Sequence, residues 1–316
     1  MRVIFFGTSE FAVPSLEQLL AHQHEVVLCV TQPDRPQGRG LAPAPSPVKR
    51  AAIQLNLPLA QPERPQRTLL EPLRPDVGVA AAYGELIGPE LLELPRQGML
   101  GVHPSLLPKY RGAAPVAWAI LNGETATGVT IFQLDERLDA GDILVQRTLQ
   151  IEPGETAEAL TRRLSRLGAD ALIDTLELMA EGRLRATPQE EAGATLAPKL
   201  TKAQGRIAWE APAEGISRLI RATMPWPGAS TTWRSTPLKI WSASAVADQA
   251  VGARPGTVIK ASGDTLTIAA GRGMLEIREL QPAGKRRLSA KEFLIGHAVQ
   301  VGEQLGGGTW NVERGT

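Results

Sequence analysis

The sequence predicts an α/β domain with an open, mostly parallel sheet covered by helices on both faces, followed by a small β-barrel. In the first 187 residues, apolar runs alternate with helical patterns, which is typical of βαβ units. After residue 206 the apolar runs are short and alternating, and Gly and Pro separate them, as in small barrels. We therefore expect domains at 1–187 and 207–316, joined by a polar linker at 188–206 that has no periodicity.

The N-terminal elements follow from the spacing of apolar residues. Strands are expected at 3–6, 26–30, 77–82, 99–103, 129–134 and 143–151. Ser46 before Pro47 predicts the start of a short helix, and Thr156 is the expected N-cap of the longest helix, which extends to about residue 182. The opening strand and turn hold one glycine, Gly7, where a dinucleotide fingerprint needs three, so NAD is not expected.

The C-terminal elements are shorter. A helix is expected at 214–222 and a last short helix from Lys291. Strands are expected at 230–233, 238–241, 256–259, 266–269 and 274–280. Trp226 lies between two prolines and is expected to anchor packing.

Composition excludes several classes of protein. The 316 residues are 43% apolar and 21% charged, with no apolar run long enough to span a membrane. The N-terminus is typical of a strand rather than a signal peptide. Cys29 is the only cysteine and lies in an apolar run, so neither a disulfide, a cysteine-based metal site nor a nucleophilic thiol is expected. We expect a cytoplasmic monomer without a metal or a membrane partner.

The net charge of +1 conceals an asymmetry between the two halves. Residues 1–195 hold 18 Lys and Arg against 24 Asp and Glu, which gives −6, whereas residues 196–316 hold 16 against 9, which gives +7. A basic C-terminal half favours a polyanionic partner, and the alternative is a basic surface without a partner. Residues 31–47 form a long loop with five prolines, in which Arg35 and Arg39 either reach a phosphate or are solvated.

Residues 101–115 form the most unusual stretch. Four backbone breakers, Pro104, Pro108, Gly112 and Pro115, follow a short apolar strand that ends at His103. Ligands of open α/β sheets bind at the carboxyl ends of the strands, which is where His103 lies. The alternative is a rigid connector that carries a surface histidine.

An acidic loop at 135–142 supplies a partner for this histidine. A carboxylate beside an imidazole fixes its tautomer and stabilises its cation, which suits general acid–base chemistry. We place Asp139 in that role, with Asp135 and Asp142 as competitors. The 36 residues between His103 and Asp139 mean that their proximity depends on topology.

The motifs taken together resemble the formyltransferases that use 10-formyltetrahydrofolate. The signature segment is Val-His-Pro-Ser-Leu-Leu-Pro-Lys-Tyr-Arg-Gly-Ala-Ala-Pro at 102–115, and Leu-Asp-Ala-Gly-Asp at 138–142 is similar to the second motif. Segments at 6–8, 31–36, 82–84, 197–202 and 221–227 also match, so the resemblance covers nearly the whole chain. It implies a Rossmann-like catalytic domain and an OB-fold-like C-terminal domain.

The resemblance also implies roles for individual residues. The formyl group would pass from 10-formyltetrahydrofolate to the amino group of methionine on initiator tRNA. His103 would either polarise the formyl carbonyl or assist proton transfer, and Asp139 would orient His103 and stabilise its cation. Arg39, Lys199 and Lys202 would bind the tRNA. The folate pocket would be lined by Ser105, Leu106, Leu107, Pro108, Tyr83, Gly84 and Leu86.

One position departs from the family pattern. The family usually has asparagine two residues before the histidine, and this chain has Gly101, which has no side chain to donate to a developing oxyanion. Loss of one such donor costs on the order of 3 kcal/mol, or roughly 100- to 1,000-fold in rate. Because of Gly101, one alternative is an inactive protein that binds folate and tRNA. A second alternative is transfer to a small amine, such as a sugar nucleotide or glycinamide ribonucleotide, against which the basic C-terminal domain argues, since a small acceptor needs no such surface.

Overall fold

The computed structural model describes residues 1–37, 42–246 and 252–306, which form two compact units. The N-terminal unit comprises Met1–Val116, Thr125–Ile151 and Ala159–Pro198. The C-terminal unit comprises Ala117–Glu124, Glu152–Glu158 and the described residues from Lys199 onward. Within the described ranges, no helix is long and apolar enough to cross a membrane.

Up to Pro198, the described residues form nine strands and six α-helices. The strands are β1 (Arg2–Gly7), β2 (Glu25–Val30), β3 (Arg35–Gln37), β4 (Ala42–Ala44), β5 (Leu59–Ala60), β6 (Val77–Ala81), β7 (Met99–His103), β8 (Ala126–Gln133) and β9 (Ile143–Gln150). The helices are α1 (Val13–Ala21), α2 (Pro47–Gln54), α3 (Arg67–Leu70), α4 (Pro89–Leu92), α5 (Pro115–Leu121) and α6 (Ala157–Ala180). Most of α5 and the first two residues of α6 belong to the C-terminal unit. Ser46 caps α2 as expected, since its hydroxyl accepts from the Lys49 N–H at 3.0 Å.

Seven of these strands form one sheet in the order β5-β2-β1-β6-β7-β8-β9. The pairs from β5 to β7 are parallel, whereas β8 and β9 add in antiparallel fashion. Strands β1, β6 and β7 are almost fully buried, as expected for continuous apolar runs covered on both faces. The predicted parallel-rich, Rossmann-like sheet is therefore confirmed, and the two strands after His103 form its antiparallel edge.

The two faces of β7 have different roles. Val102 points toward helix α6, where a Cβ on Gly168 would lie 2.9 Å from Val102 Cγ1. Gly101 and His103 alternate with Val102 and share the opposite face, together with Phe132, which pairs with Gly101 across the β7–β8 ladder. The long helix thus covers one face with structural packing and leaves the other face for the residues predicted to do chemistry.

The C-terminal unit is an antiparallel sheet with two helices. Its elements are α7 (Ala213–Ala222), β10 (Ala229–Trp233), β11 (Thr236–Val246), β12 (Val258–Ser262), β13 (Thr265–Ala269), β14 (Met274–Pro282), β15 (Leu288–Ser289) and α8 (Ala290–Gly296). The strand order is β10-β11-β14-β13-β12, with β15 beside β14. Leu305 bridges Trp233 and Gln304 bridges Thr257, so one segment links the ends of both edge strands. All five predicted strands are present, in the barrel-like, OB-fold-like arrangement expected.

The predicted linker at 188–206 is divided between the two units at Pro198. Its first half adds backbone pairing to the N-terminal unit. The Arg111 N–H donates to the Thr195 carbonyl at 2.9 Å, and the Ala197 N–H donates to the Arg111 carbonyl at 2.7 Å. Residues 188–198 therefore lie against the sheet unit, although their sequence has no periodicity that would predict this.

Candidate active site

His103 ends strand β7 and is 6% exposed. Its Nε2 lies 2.9 Å from the carbonyl oxygen of Tyr110, which closes the turn that follows the strand. A carbonyl oxygen only accepts, so Nε2 carries a proton and donates it. In the neutral ring, Nδ1 then holds the lone pair, and it is the ring atom able to take up a proton.

Asp139 is the acidic residue that faces this histidine. Its Oδ2 lies 3.6 Å from His103 Nδ1, which is longer than a hydrogen bond but close enough to stabilise a charged ring. The same Oδ2 accepts the Gly112 N–H at 2.8 Å, and the side chain is 17% exposed. The predicted pairing of His103 with Asp139 is thus present in the structure.

The two competing aspartates are engaged differently. Asp135 accepts three hydrogen bonds from Arg137, at 2.7 to 3.0 Å. Asp142 precedes β9, and its carbonyl oxygen accepts the Gln133 N–H at 2.9 Å. Asp139 has a backbone φ of +49°, a left-handed conformation that is uncommon for a residue with a side chain. Because Asp139 contacts His103, its loop lies over the face of β7 that also carries Gly101.

The turn after His103 contains four residues predicted to line the folate pocket. The Ser105 hydroxyl donates to the Lys109 carbonyl at 2.6 Å and is fully buried. The Leu107 N–H donates to Thr130 Oγ1 at 3.1 Å, and its carbonyl accepts from Gln146 at 2.9 Å. Ser105 and Leu107 therefore fix the turn itself, whereas Leu106 and Pro108 are half-buried and retain accessible surface.

The other predicted pocket segment follows β6, which neighbours β7 in the sheet. The Tyr83 ring is buried edge-on against Phe6, and this burial, with the charge of Glu85 second, raises the pKa of its phenol. Gly84 has a φ of +83°, and Leu86 is 86% exposed. Of the three predicted residues, Leu86 presents apolar surface to solvent, and Tyr83 serves the core beneath it.

The residues predicted to bind tRNA are Lys199, Lys202 and Arg39. Lys199 and Lys202 are exposed and belong to the C-terminal unit. Arg39 lies outside the described residues. Arg35, from the same loop, pairs with Glu85 at 3.0 Å, and both side chains are largely exposed.

The structure also bears on two other kinds of site, a reactive thiol and a metal site. Burial raises the pKa of the Cys29 thiol to about 12, so this thiol is inert at neutral pH. In the described ranges, no group of three or more His, Cys, Asp or Glu side chains is arranged to hold a metal ion. The arrangement that remains is a buried imidazole with one fixed proton, a neighbouring carboxylate and a rigid turn.

Comparison with known proteins decides the family. Residues 1–176 match the family model described as formyl transferase, and residues 199–298 match the model of the formyl transferase C-terminal domain.

The chain belongs to the formyl transferase family.

Relatives and solved structures agree with this assignment. The chain is 46% identical to a methionyl-tRNA formyltransferase of Roseiflexus castenholzii, with 97% of this chain and 99% of the relative covered. It is likewise 46% identical to one of Methylococcus capsulatus, with 97% and 100% covered. HypX of Aquifex aeolicus in complex with tetrahydrofolic acid superposes with a TM-score of 0.65 at 21% identity, covering 93% of this chain and 47% of that one. A Helicobacter canadensis N-formyltransferase in complex with folinic acid and dTDP-3-aminofucose gives 0.68 at 17% identity, with 90% and 99% covered. These two structural similarities show the fold.

In this formyl transferase, the space beside Gly101 is filled by the ring of Phe132. A Cβ at this position would lie 2.3 Å from Cε1 and 2.6 Å from Cζ of Phe132, closer than side chains approach each other. Phe132 is 2% exposed, and its ring meets the His103 ring edge-on with centroids 6.4 Å apart. Any side chain at residue 101 must displace this ring. The position at which the family pattern has asparagine is therefore occupied in space by Phe132.

Three groups of this formyl transferase site were missed by sequence reasoning. The Tyr110 carbonyl accepts from His103. The Thr130 hydroxyl donates to the Ser105 carbonyl and accepts from the Leu107 N–H. The Gln189 amide donates to the carbonyls of Asp139 and Gly141. Backbone groups leave no trace in residue identity. Thr130 carried a usable signal, because a β-branched polar residue in an otherwise apolar strand needs a partner. Gln189 had no such signal within its polar surroundings.

Proposed function

We propose that the chain transfers the formyl group of 10-formyltetrahydrofolate to the amino group of methionine carried by initiator tRNA. The observation that supports this most strongly is the likeness to methionyl-tRNA formyltransferases, which are 42–46% identical over at least 96% of this chain. It extends through both domains, including the basic C-terminal one. The buried His103, with the partly exposed Asp139 beside it, supplies the acid–base group that such a transfer requires.

The chemistry rests on the free nitrogen of His103. The amine nitrogen of methionine attacks the formyl carbon and forms a tetrahedral intermediate. That nitrogen must then lose a proton, and N10 of the folate must gain one as the bond between the formyl carbon and N10 breaks. Nδ1 of His103 takes up the proton of the methionine nitrogen and gives it to N10 of the folate. Nε2 does not take this part, because it donates its own proton to Tyr110 O. Asp139 stabilises the ring during the interval in which it is charged.

The site has no side-chain donor at residue 101 for the developing oxyanion. Gly101 has no donor, and Phe132 fills the adjacent space with an apolar ring. We infer that the oxyanion relies on a backbone N–H or on water, and that transfer is slower than it would be with a side-chain amide, by roughly 100- to 1,000-fold.

The folate is proposed to bind beside the carboxyl ends of β6 and β7. The exposed Leu86 and the half-buried Leu106 and Pro108 provide apolar surface there for a flat ring system. Tetrahydrofolic acid in the HypX complex and folinic acid in the Helicobacter complex support a folate co-substrate for this fold. Ser105, Leu107, Tyr83 and Gly84 contribute by holding the two segments in shape.

The tRNA is proposed to use the basic C-terminal unit. Lys199 and Lys202 are exposed, and two cations lie over the indole ring of Trp241, with Lys239 Nζ 5.7 Å and Arg287 Cζ 5.0 Å from the ring centroid. Cations beside an aromatic ring are typical of surfaces that bind nucleic acid. Arg39 keeps its proposed role at the acceptor end. Phosphate contacts release counterions, so tRNA affinity is expected to fall steeply with salt.

A formylation assay tests this function directly. The purified chain is incubated with 10-formyltetrahydrofolate and, in separate reactions, with charged initiator tRNA, a dTDP-amino sugar or glycinamide ribonucleotide. We expect formylmethionyl-tRNA and no product from the small amines. Product from a small amine alone would overturn the proposal, and binding of folate and tRNA without any product would identify an inactive protein.

A further inference from the structure

The two polar groups that face the nitrogens of the His103 ring belong to residues with unusual backbone conformations. Tyr110, whose carbonyl accepts from Nε2, has a φ of +63°, and Asp139, whose carboxylate faces Nδ1, has a φ of +49°. Residues with side chains seldom adopt such angles unless neighbouring contacts impose them. The contacts that impose them therefore control where the two partners of His103 stand.

Residues 189–197 provide these contacts on the Tyr110 side. The Tyr110 N–H donates to Thr195 Oγ1 at 2.8 Å, and the next N–H, of Arg111, donates to the Thr195 carbonyl at 2.9 Å. The Ala197 N–H returns a hydrogen bond to the Arg111 carbonyl at 2.7 Å. One threonine thus binds two consecutive amides and fixes the peptide that carries the acceptor of His103.

The same segment holds the loop of Asp139. The Gln189 amide nitrogen donates to the carbonyls of Asp139 and Gly141, both at 2.8 Å. Its Oε1 accepts from Arg111 Nε at 3.1 Å and Nη2 at 2.9 Å, so the amide orientation is determined by partners on both ends. Gln189 therefore ties the loop of Asp139 to the strand-like segment after Tyr110, through its side chain alone.

We propose that Gln189 and Thr195 are positioning residues that hold His103 in its working tautomer and orientation. This rests on the proposed function, because it assigns the two residues to the same transfer step. Neither residue touches the ring of His103. Each acts through one partner of the ring: Thr195 through the carbonyl that fixes the proton on Nε2, and Gln189 through the loop that carries the carboxylate.

The kinetic test compares four variants under saturating substrates. Thr195→Val removes the hydroxyl that accepts from the Tyr110 N–H, and Gln189→Met removes the amide that binds Asp139, Gly141 and Arg111, each at nearly constant side-chain size. Both are expected to lower kcat by roughly 10- to 100-fold with the KM values for folate and tRNA little changed. Thr195→Ser keeps the hydroxyl and is expected to restore kcat. Gln204→Met is the matched control, because the Gln204 side chain contacts Thr201, at 2.7 and 3.1 Å, and neither partner of His103.

A second readout does not depend on activity. The chain has four histidines, so ¹⁵N-histidine NMR resolves His103, assigned by comparison with His103→Gln. The wild type is expected to show the Nε2–H tautomer, and Thr195→Val and Gln189→Met are expected to shift the His103 resonances while those of His22, His24 and His297 stay in place. Unchanged His103 resonances in both variants, or a kcat no lower than that of Gln204→Met, would overturn the proposal. If the wild type forms no product and the His103 resonances still shift in Thr195→Val and Gln189→Met, the positioning role is upheld and the proposed function is rejected.

Discussion

Two segments hold His103, and they differ in how their sequence encodes that task. The turn of residues 103–112 is dense in proline and glycine, and its hydrogen bonds from Ser105 to Lys109 and from His103 to Tyr110 span four and seven residues. Residues 189–197 contact the same site from far along the sequence. Gln189 binds Asp139, which is 50 residues away, and Thr195 binds Tyr110, which is 85 residues away. The first segment has a recognisable local pattern, and the second does not.

The difference teaches that precision at one histidine comes from two sources. The local turn sets the backbone path by restricting its own φ and ψ angles, and it has several hydrogen bonds that support one another. The distant segment positions the two partners of His103 through the side chains of Gln189 and Thr195, with backbone hydrogen bonds that join Thr195 and Ala197 to Arg111. Damage to the local turn should therefore cost stability first, and damage to the distant contacts should cost rate first.

The largest effect that sharpens this comparison is expected at Asp139. Asp139→Asn retains an oxygen for the Gly112 N–H but removes the charge that faces His103, so the formylation rate should fall on the order of 100-fold, within the range of general acid–base effects. Single-turnover rates provide the measurement. Asp135→Asn is the control, since Asp135 binds Arg137, and an equal loss in that variant would mean that the acidic loop acts as a whole.

Gly101 offers the next largest effect. Gly101→Asn must push the buried Phe132 ring aside and should destabilise the protein by about 1–3 kcal/mol as an overpacked core. Phe132→Val removes volume at the place where the asparagine adds it. The double variant should regain most of the stability and transfer faster than the wild type. Denaturant unfolding and the formylation rate check both parts, and additive effects of the two substitutions would show that Phe132 does not fill this space.

Ser105→Ala breaks the local turn at one hydrogen bond. Loss of this hydroxyl should lower the unfolding free energy by about 1 kcal/mol, because the Ser105 N–H and carbonyl keep their own partners. The formylation rate should fall less than in Asp139→Asn. Ser165→Ala is the matched control, since the Ser165 hydroxyl donates to Phe11 O at 2.7 Å at a buried position and should change stability alone. A greater rate loss for Ser105→Ala than for Asp139→Asn would contradict the view that Ser105 holds the turn and that Asp139 stabilises the charged ring of His103.

The smallest effect concerns a local motif in the other unit. Hydrogen bonds from the Ser289 backbone N–H, then from Arg286 and the Ser289 hydroxyl, lower the pKa of Glu292 to about 2. A lowered folded-state pKa gives stabilisation that is present above about pH 4.5 and is lost as the pH falls toward 2. Glu292→Gln should therefore lower Tm at neutral pH and converge with the wild type near pH 2, at an unchanged formylation rate. Glu214→Gln, in the first turn of α7, where no side chain caps the helix, is the control for loss of an acidic group near a helix N-terminus.

The elements with strong local signals were predictable. The apolar runs of β1, β6 and β7 and the capped start of α2 follow from burial and capping chemistry, and so does the position of His103 at a strand end. The antiparallel direction of β8 and β9 was not predictable from their apolar pattern, which is the same for either direction. The carbonyl of Tyr110 and the amide of Gln189 act through contacts across long sequence separations, and the overlap of Gly101 with Phe132 exists only once β7 and β8 are paired in register.

The single-turnover rate of His103→Ala tests the central claim most directly. With saturating 10-formyltetrahydrofolate and methionyl initiator tRNA, the rate is expected to fall by at least about 100-fold relative to wild type, while the Kd for the tRNA stays the same. Wild-type transfer by His103→Ala, or loss of tRNA binding together with transfer, would contradict the assignment of His103 as the group that carries the proton.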